Sequence, residues 1–282
     1  MENLRVLARV EDLGEIVESY GNFFKQLKQL KQNGVRLITP RDEAFARLST
    51  KGNEDIGKTY GTRTSAGFEY APEKLPILRL ESRLNDLKLA KLAVEANRAD
   101  HYLSTGSTKE YEESLRQAEQ DKNKSPAERS VIVLPSRDKF TITDKEHWEV
   151  LKTILKDQAE QYFNLNGPIT VYPIPKDVVD AQNGTILNYM WFSNLDNRSD
   201  FNGNSGDLNI DSRARGIVQM SGRPSLIENI YSQIYQIDNL FLAYKKARKG
   251  KSKKKKNIKN FSQEIKLIMI ESTIVTKAHM RT

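Results

Sequence analysis

The sequence predicts an α+β protein in three parts: a mainly helical region over residues 1–125, a mixed α+β segment over 126–219, and a C-terminal helix with a basic tail over 220–282. Three observations carry this reading. Apolar residues recur at helical spacing through the first 31 positions, short apolar or alternating runs cluster between residues 131 and 192, and lysines crowd one stretch near the C-terminus. With 282 residues, 38% hydrophobic and 29% charged, the chain is long enough for a sizeable core and is not disordered in composition.

In chain order, Val6, Leu13, Ile16, Val17, Tyr20, Phe24, Leu27 and Leu30 predict one amphipathic helix from Leu4 to Lys31, stopped at Asn33-Gly34. Ser49 to Pro76 is rich in Gly, Thr, Ser and Lys. Within it Gly52 to Thr59 literally satisfies the phosphate-loop spacing G-x-x-x-x-G-K-[ST]. That loop needs a buried strand before it and a helix after it. Ala44 to Leu48 reads instead as helix, Tyr60-Gly61 would break a following one, and Glu54 and Asp55 would oppose phosphate charge, so nucleotide binding is not expected. Ile77–Ala99 and Ser107–Asp121 read as two further helices, the second opened by a Ser107/Glu110 capping box. The polar run Asp121 to Pro126 is the expected domain boundary.

Beyond it, Val131 to Leu134 is a short buried strand, and a Thr143/Glu146 capping box feeds a helix with Trp148, Leu151, Leu155 and Tyr162 on one side. Ile169–Ile174 and Thr185–Phe192 read as strands. From Trp191 to Ile217 Asn, Asp, Ser and Gly dominate, with apolar residues interspersed at Leu195, Phe201, Leu208, Ile210 and Ile217. This pattern suits a loop-rich surface held by a few buried contacts, with Trp148 and Trp191 buried and the asparagines from Asn194 to Asn209 mostly exposed. Composition alone favours a plain polar loop. Asp196 and Asp200 do not make a calcium loop, because no Glu follows at the twelfth position.

The absence of cysteine excludes disulfides, thiol nucleophiles and thiolate metal sites. His101, His147 and His279 are isolated, with no His-x-x-x-His pair, and no Asp-Asp pair or Ser-His-Asp set can be picked out by spacing. The expectation is therefore no catalytic residue, no metal site and no cofactor. The N-terminus carries Glu2, Arg5 and Arg9 and lacks a long apolar run, and Ile268 to Ile270 is far too short to span a bilayer. A cytoplasmic protein without a membrane partner is expected.

At the C-terminal end a Ser225/Glu228 capping box starts a helix carrying Ile227, Ile230, Ile234, Ile237, Phe241 and Tyr244 on one face and ending at Gly250. Lys245, Lys246, Arg248, Lys249, Lys251, Lys253, Lys254, Lys255, Lys256 and Lys259 follow with no acid among them. The net charge of +8 is a property of this tract, since the rest of the chain is slightly acidic without it. Such a tract is either a solvated turn or a sequence-independent contact for RNA or DNA phosphates.

Two stretches resemble known families. The Trp191-Phe192 opening, the Arg198-Ser-x-Phe201-x-Gly203-Asn204 core and the Arg213-Ala-Arg-Gly-Ile217 close resemble the variable region of target proteins in diversity-generating retroelements, whose fold is C-type-lectin-like. The resemblance implies display of a binding surface to a protein or cell-surface ligand. It also implies that Asn194, Asn197, Asn202, Asn204 and Asn209 are diversifiable while Trp191, Phe201 and Arg213 to Ile217 are scaffold. Asn239 to Lys251 resembles the N-terminal signature of the reverse transcriptases of the same retroelements, with Phe261 at the aromatic position after the basic turn. That match stops beyond Glu264, before any fingers, palm or paired aspartates, which two-metal phosphoryl transfer requires. Together they imply a non-catalytic display protein joined near Met220 to a truncated transcriptase start, acting in the cytoplasm or carried in a phage particle. The alternative is a nucleic-acid-binding accessory protein of the retroelement.

Overall fold

Glycine, rather than apolar spacing, decides the first thirty residues. In the computed structural model, which describes residues 4–50, 56, 61–96, 107–193, 200–204, 208 and 211–218, they form a hairpin followed by a helix. Strands β1 (Arg5–Val10) and β2 (Gly14–Gly21) pair antiparallel. Gly14 adopts φ +111°, and a Cβ there would stand 2.4 Å from the Val218 carbonyl oxygen. Only then does Asn22, accepting from the Lys25 N–H at 3.0 Å, cap helix α1 (Phe23–Gln32). The single helix expected from Leu4 to Lys31 is thus corrected: Val6, Ile16 and Val17 lie on strands, where β-branched side chains pack well.

Strand β3 (Arg36–Leu37) leads to helix α2 (Pro40–Ser49), started by Pro40 at its first turn and by Thr39, whose hydroxyl accepts from the Asp42 N–H at 3.1 Å. The fully buried strand β4 (Thr62–Tyr70) follows. The helix expected over Ile77–Ala99 resolves into β5 (Ile77–Arg79), a 3-10 turn at Arg83–Asn85, and α3 (Leu87–Ala96), entered through Asp86, which accepts from Lys88 and Leu89 N–H groups. Helix α4 (Thr108–Asp121) opens with the predicted Ser107/Glu110 box formed in both directions.

Then come β6 (Val131–Val133), β7 (Phe140–Ile142), α5 (Trp148–Leu155), α6 (Ala159–Asn166), β8 (Ile169–Tyr172), α7 (Lys176–Asp180), β9 (Ile186–Phe192), β10 (Phe201–Asn202) and β11 (Ser212–Val218). The Thr143/Glu146 pair closes a turn ahead of α5. The helix expected through Trp148 to Tyr162 breaks at Lys156, whose φ is +54°.

The strands make one sheet in the order β1-β2-β11-β4-β9-β10-β8-β7, with β3 on β11, β5 on β4 and β6 on β5. β11 runs antiparallel to β2 and parallel to β4, and β4 antiparallel to β9. Strands from before and after residues 121–126 therefore alternate in one sheet, and Met1–Gly222 is one compact unit. The boundary expected at Asp121 to Pro126 is corrected, and so is the mainly helical character of residues 1–125. The chain is α+β, with helices on both sheet faces. Even-numbered β9 residues Ile186, Met190 and Phe192 pack with Leu151, Ile154 and Tyr162 of α5 and α6. Odd-numbered Leu187 and Tyr189 pack with Phe23, Leu27 and Ala90 of α1 and α3.

The second unit, Arg223–Thr282, lies outside the described residues. So do the Ser225/Glu228 box and the whole Lys245 to Lys259 tract. Among the described residues no helix is long and apolar enough to cross a membrane.

Candidate ligand-binding surface

The variable-region-like segment leaves the sheet at the end of β9 and returns to it through β11, with β10 between them. Phe201 pairs with Phe192 on one side and Val171 on the other, and the Ser193 N–H donates to the Asp200 carbonyl at 3.0 Å, closing the base of the first excursion. Three buried anchors then hold the segment down. The Phe201 ring meets the edge of Phe192 at 5.1 Å. Gly203 donates to the Tyr172 carbonyl at 2.8 Å and accepts at its own carbonyl from Asn188 Nδ2 at 2.6 Å and from the Tyr70 hydroxyl at 3.3 Å. A Cβ on Gly203 would fall 2.3 Å from that hydroxyl, so only glycine fits. Leu208, 1% exposed, accepts at its carbonyl from the Phe23 N–H at 3.0 Å.

Between the anchors sit Asn202 and Asn204. Both are half-buried rather than exposed as expected, because Asn202 is a strand residue and its Oδ1 accepts from the Asn204 N–H at 2.8 Å in an Asx turn. Asn194, Asn197 and Asn209 lie outside the described residues. The tryptophans expected to be buried are half-buried: Trp191 covers Gly61, and Trp148 stands edge-on to Phe163 at 5.1 Å. Arg213 to Ile217 forms the body of β11, with Arg213 paired to Glu18 at 3.2 Å.

Beneath the segment's roots lies a polar cluster that spacing gave no reason to expect. Glu43 and Arg47 of α2 and Arg215 of β11 are all buried, and one carboxylate oxygen of Glu43 receives both Arg47 Nε, at 2.7 Å, and Arg215. Arg47 reaches on to the carbonyls of Ser193 at 2.5 Å and Phe192 at 3.4 Å, and its guanidinium stacks 4.3 Å from the Phe192 ring centroid. Arg215 donates to the Ile56 carbonyl at 2.9 Å. Burial lowers the Arg215 pKa, an effect that Glu43 opposes, yet a guanidinium stays charged across the physiological range. At the segment's exit Gln26 Nε2 donates to the Ser212 carbonyl at 2.5 Å, while its oxygen accepts from Arg63 at 2.9 Å. Burial brings Arg63 down to about 10.

This arrangement can hold irregular backbone in place. Among the described residues no group of three or more His, Asp or Glu side chains is arranged to hold a metal ion. Spacing four apart on a helix does not distinguish Glu43 and Arg47 from a solvated pair, and only the tertiary fold shows them buried.

No family model matches the chain, and no curated protein matches it. One solved structure is similar over 72% of this chain and 96% of its own, with a TM-score of 0.50 and 13% identity; it is described as the accommodation of massive sequence variation in Nanoarchaeota by the C-type lectin fold. At that identity the likeness concerns architecture alone, and on it the described part of this chain has a C-type-lectin-like fold.

Proposed function

We propose that this protein is a non-catalytic ligand-binding protein that displays residues 194–209 on a C-type-lectin-like scaffold, as the target protein of a diversity-generating retroelement. One observation carries the reading: the roots and anchors of the segment are fixed through main-chain atoms and through Phe201, Gly203 and Leu208, while Asn202 and Asn204 alternate with those anchors and Asn202 adds one side-chain bond, to the Asn204 N–H. Fixed backbone with replaceable side chains is what a diversified binding face needs. The similar structure, itself described in terms of sequence variation on this fold, supports the same reading. Asn194, Asn197, Asn202, Asn204 and Asn209 are the proposed contact positions for a protein or cell-surface ligand.

The test is a library randomised at those five asparagines in the full chain, panned against protein and cell-surface panels beside a library randomised at five exposed positions of α4 and α6. Binders are expected from the first library. Equal yields from both would overturn the reading. In the flanking DNA, a near-copy of the codons for Trp191 to Ile217 differing mainly at adenines is expected.

A second reading is favoured by the ten cations between Lys245 and Lys259, which lie without an intervening acid. In it the tract contacts RNA or DNA phosphates as a remnant of a transcriptase start, without polymerase activity. Affinity should then weaken with salt at a slope of roughly −0.9 per duplex phosphate neutralised. Replacing Lys253, Lys254, Lys255 and Lys256 with Gln should reduce both affinity and slope, and an unchanged pair of values would reject the reading. Metal-dependent primer extension would reject the non-catalytic assignment. The proposed setting is the cytoplasm or a phage particle, with no membrane partner.

A further inference from the structure

We infer that Glu43, Arg47 and Arg215 are positioning residues of the binding face, a buried clamp that fixes where the variable segment starts whatever side chains it carries. The purpose assigned to the clamp rests on the display reading, but its geometry does not.

Three features carry the inference. First, the acceptors are the carbonyls of Phe192, Ser193 and Ile56, groups that every residue possesses, so the clamp is indifferent to side-chain identity. Second, the Ser193 carbonyl, which takes the shorter of the two Arg47 bonds, stands just past the end of β9, while that of Phe192 is the last of the strand. A strand satisfies its own carbonyls through its neighbours, whereas chain that has left the sheet must find donors elsewhere, and leaving a buried carbonyl unpaired is costly. Third, the donors are themselves fixed. Arg47 is 2% exposed, Glu43 and Arg215 are 0% exposed, and the shared Glu43 oxygen holds both guanidiniums. A planar guanidinium with several donors can reach that one carboxylate oxygen and the carbonyls at once, which a lysine ammonium at the same place cannot do with the same geometry.

Arg47 additionally donates to the Tyr162 hydroxyl at 3.2 Å, tying α2 to α6 through the same head group. Gly61 completes the site from the other side. Its missing side chain lets Trp191 lie against the backbone, where a Cβ would meet Trp191 Nε1 at 2.2 Å and the Phe192 carbonyl at 2.6 Å. Of the clamp, Arg47 reaches the two consecutive carbonyls of Phe192 and Ser193, and Arg215 is tied to it through Glu43.

The experiment compares, in the full chain, Arg47→Met with a core variant matched to it in loss of thermal stability, either Leu151→Ala or Ile154→Ala. The first readout is amide hydrogen exchange at Ser193, whose N–H bonds the Asp200 carbonyl. Exchange should rise at least about tenfold more in Arg47→Met than in the matched control, as local opening does when its own hydrogen bonds are removed. The second is the fraction of folded members when the five asparagines are randomised in each background, which should fall about twofold or more further in Arg47→Met, as for coupled neighbours in one network. Equal exchange and equal tolerance in the two backgrounds would overturn the clamp. Should Arg47→Met give no folded protein, Arg47→Lys enters the same comparison and is expected to show the same two differences. The outcomes separate from those of the display reading: a library without binders but with these differences leaves the clamp standing, and binders without the differences remove the clamp alone.

Discussion

The layer under α5 and α6 and the layer under the roots of the variable-region-like segment are held by opposite means. The first is apolar: Leu151, Ile154, Leu155, Val171 and Met190 pack without a charge among them. The second is built from Glu43, Arg47, Arg63, Gln26 and Arg215, all buried. Helices and strands satisfy their own backbone, so they ask of their neighbours only shape and apolar area. Irregular chain arrives with unpaired carbonyls, and the side chains beneath it must supply donors.

The largest effect that would break this contrast is expected from Glu43→Ala, which leaves Arg47 and Arg215 buried around an absent carboxylate. It should destabilise by about 3–5 kcal/mol in denaturant titration; a loss below about 1 kcal/mol, as for a surface pair, would show that the cluster is solvated. Leu151→Ala should cost about 2–5 kcal/mol by cavity formation, with the Ser193 amide left as protected as the global stability allows. Gly203→Ala comes next at about 1–3 kcal/mol, since its Cβ would meet the Tyr70 hydroxyl and the Phe68 ring. A normal melting profile for that variant would mean the segment is not pinned at Gly203.

A pH titration sharpens the comparison at a third place, where α4 meets β6. Burial alone would raise the pKa of Asp121, but Lys124 at 2.7 Å, the Ser130 N–H at 2.9 Å and Gln117 at 3.0 Å hold it well below the ordinary carboxylate range. A depressed folded pKa means that its stabilisation is fully present above the unfolded value of about 3.9 and is lost as pH falls through the folded value. Asp121→Asn should therefore weaken the fold at neutral pH by about 1.5–3 kcal/mol and flatten the acid limb of the stability curve. An unchanged acid limb would count against it. The smallest effect is expected from Asn204→Ser, within about 0.5 kcal/mol, because the Asx-turn bond to Asn202 Oδ1 is made by its backbone N–H, which serine keeps. A loss as large as that of Gly203→Ala would mean that this position is scaffold.

Legibility in the sequence followed the same division. The Ser107/Glu110 cap, the strands at Val131 and Ile169, and the run ending at Phe192 were readable because local chemistry alone determines them. The first 31 residues misled, since Val6 to Leu30 satisfy a helical period while Gly14 and Gly21, both at positive φ, redirect the chain. Strand β4 carried no apolar signature. Its Thr64 and Ser65 hydroxyls are buried by donating to the carbonyls of Met190 at 3.1 Å and Leu80 at 2.9 Å, partners that only tertiary structure brings. At the candidate site Phe201 and Leu208 stood out as apolar residues in a polar stretch. Glu43, Arg47, Gln26 and Arg63 did not, because a charged or amide side chain announces burial only through partners that lie far along the chain.

The place of β11 in the sheet has a consequence for biosynthesis. Its seven residues, Ser212–Val218, fill a slot between β2 and β4, yet they are the last described strand of this unit to leave the ribosome. Until they emerge, two strand edges of the nascent chain stay open, and long-range pairing of this kind is the slow part of folding. The variable-region-like segment lies immediately upstream. A shift of reading frame anywhere within it deletes β11 and leaves those edges as a target for chaperones and proteases. The sheet thereby audits the segment's translation: a chain closes only when the stretch before its last strand has been read through in frame.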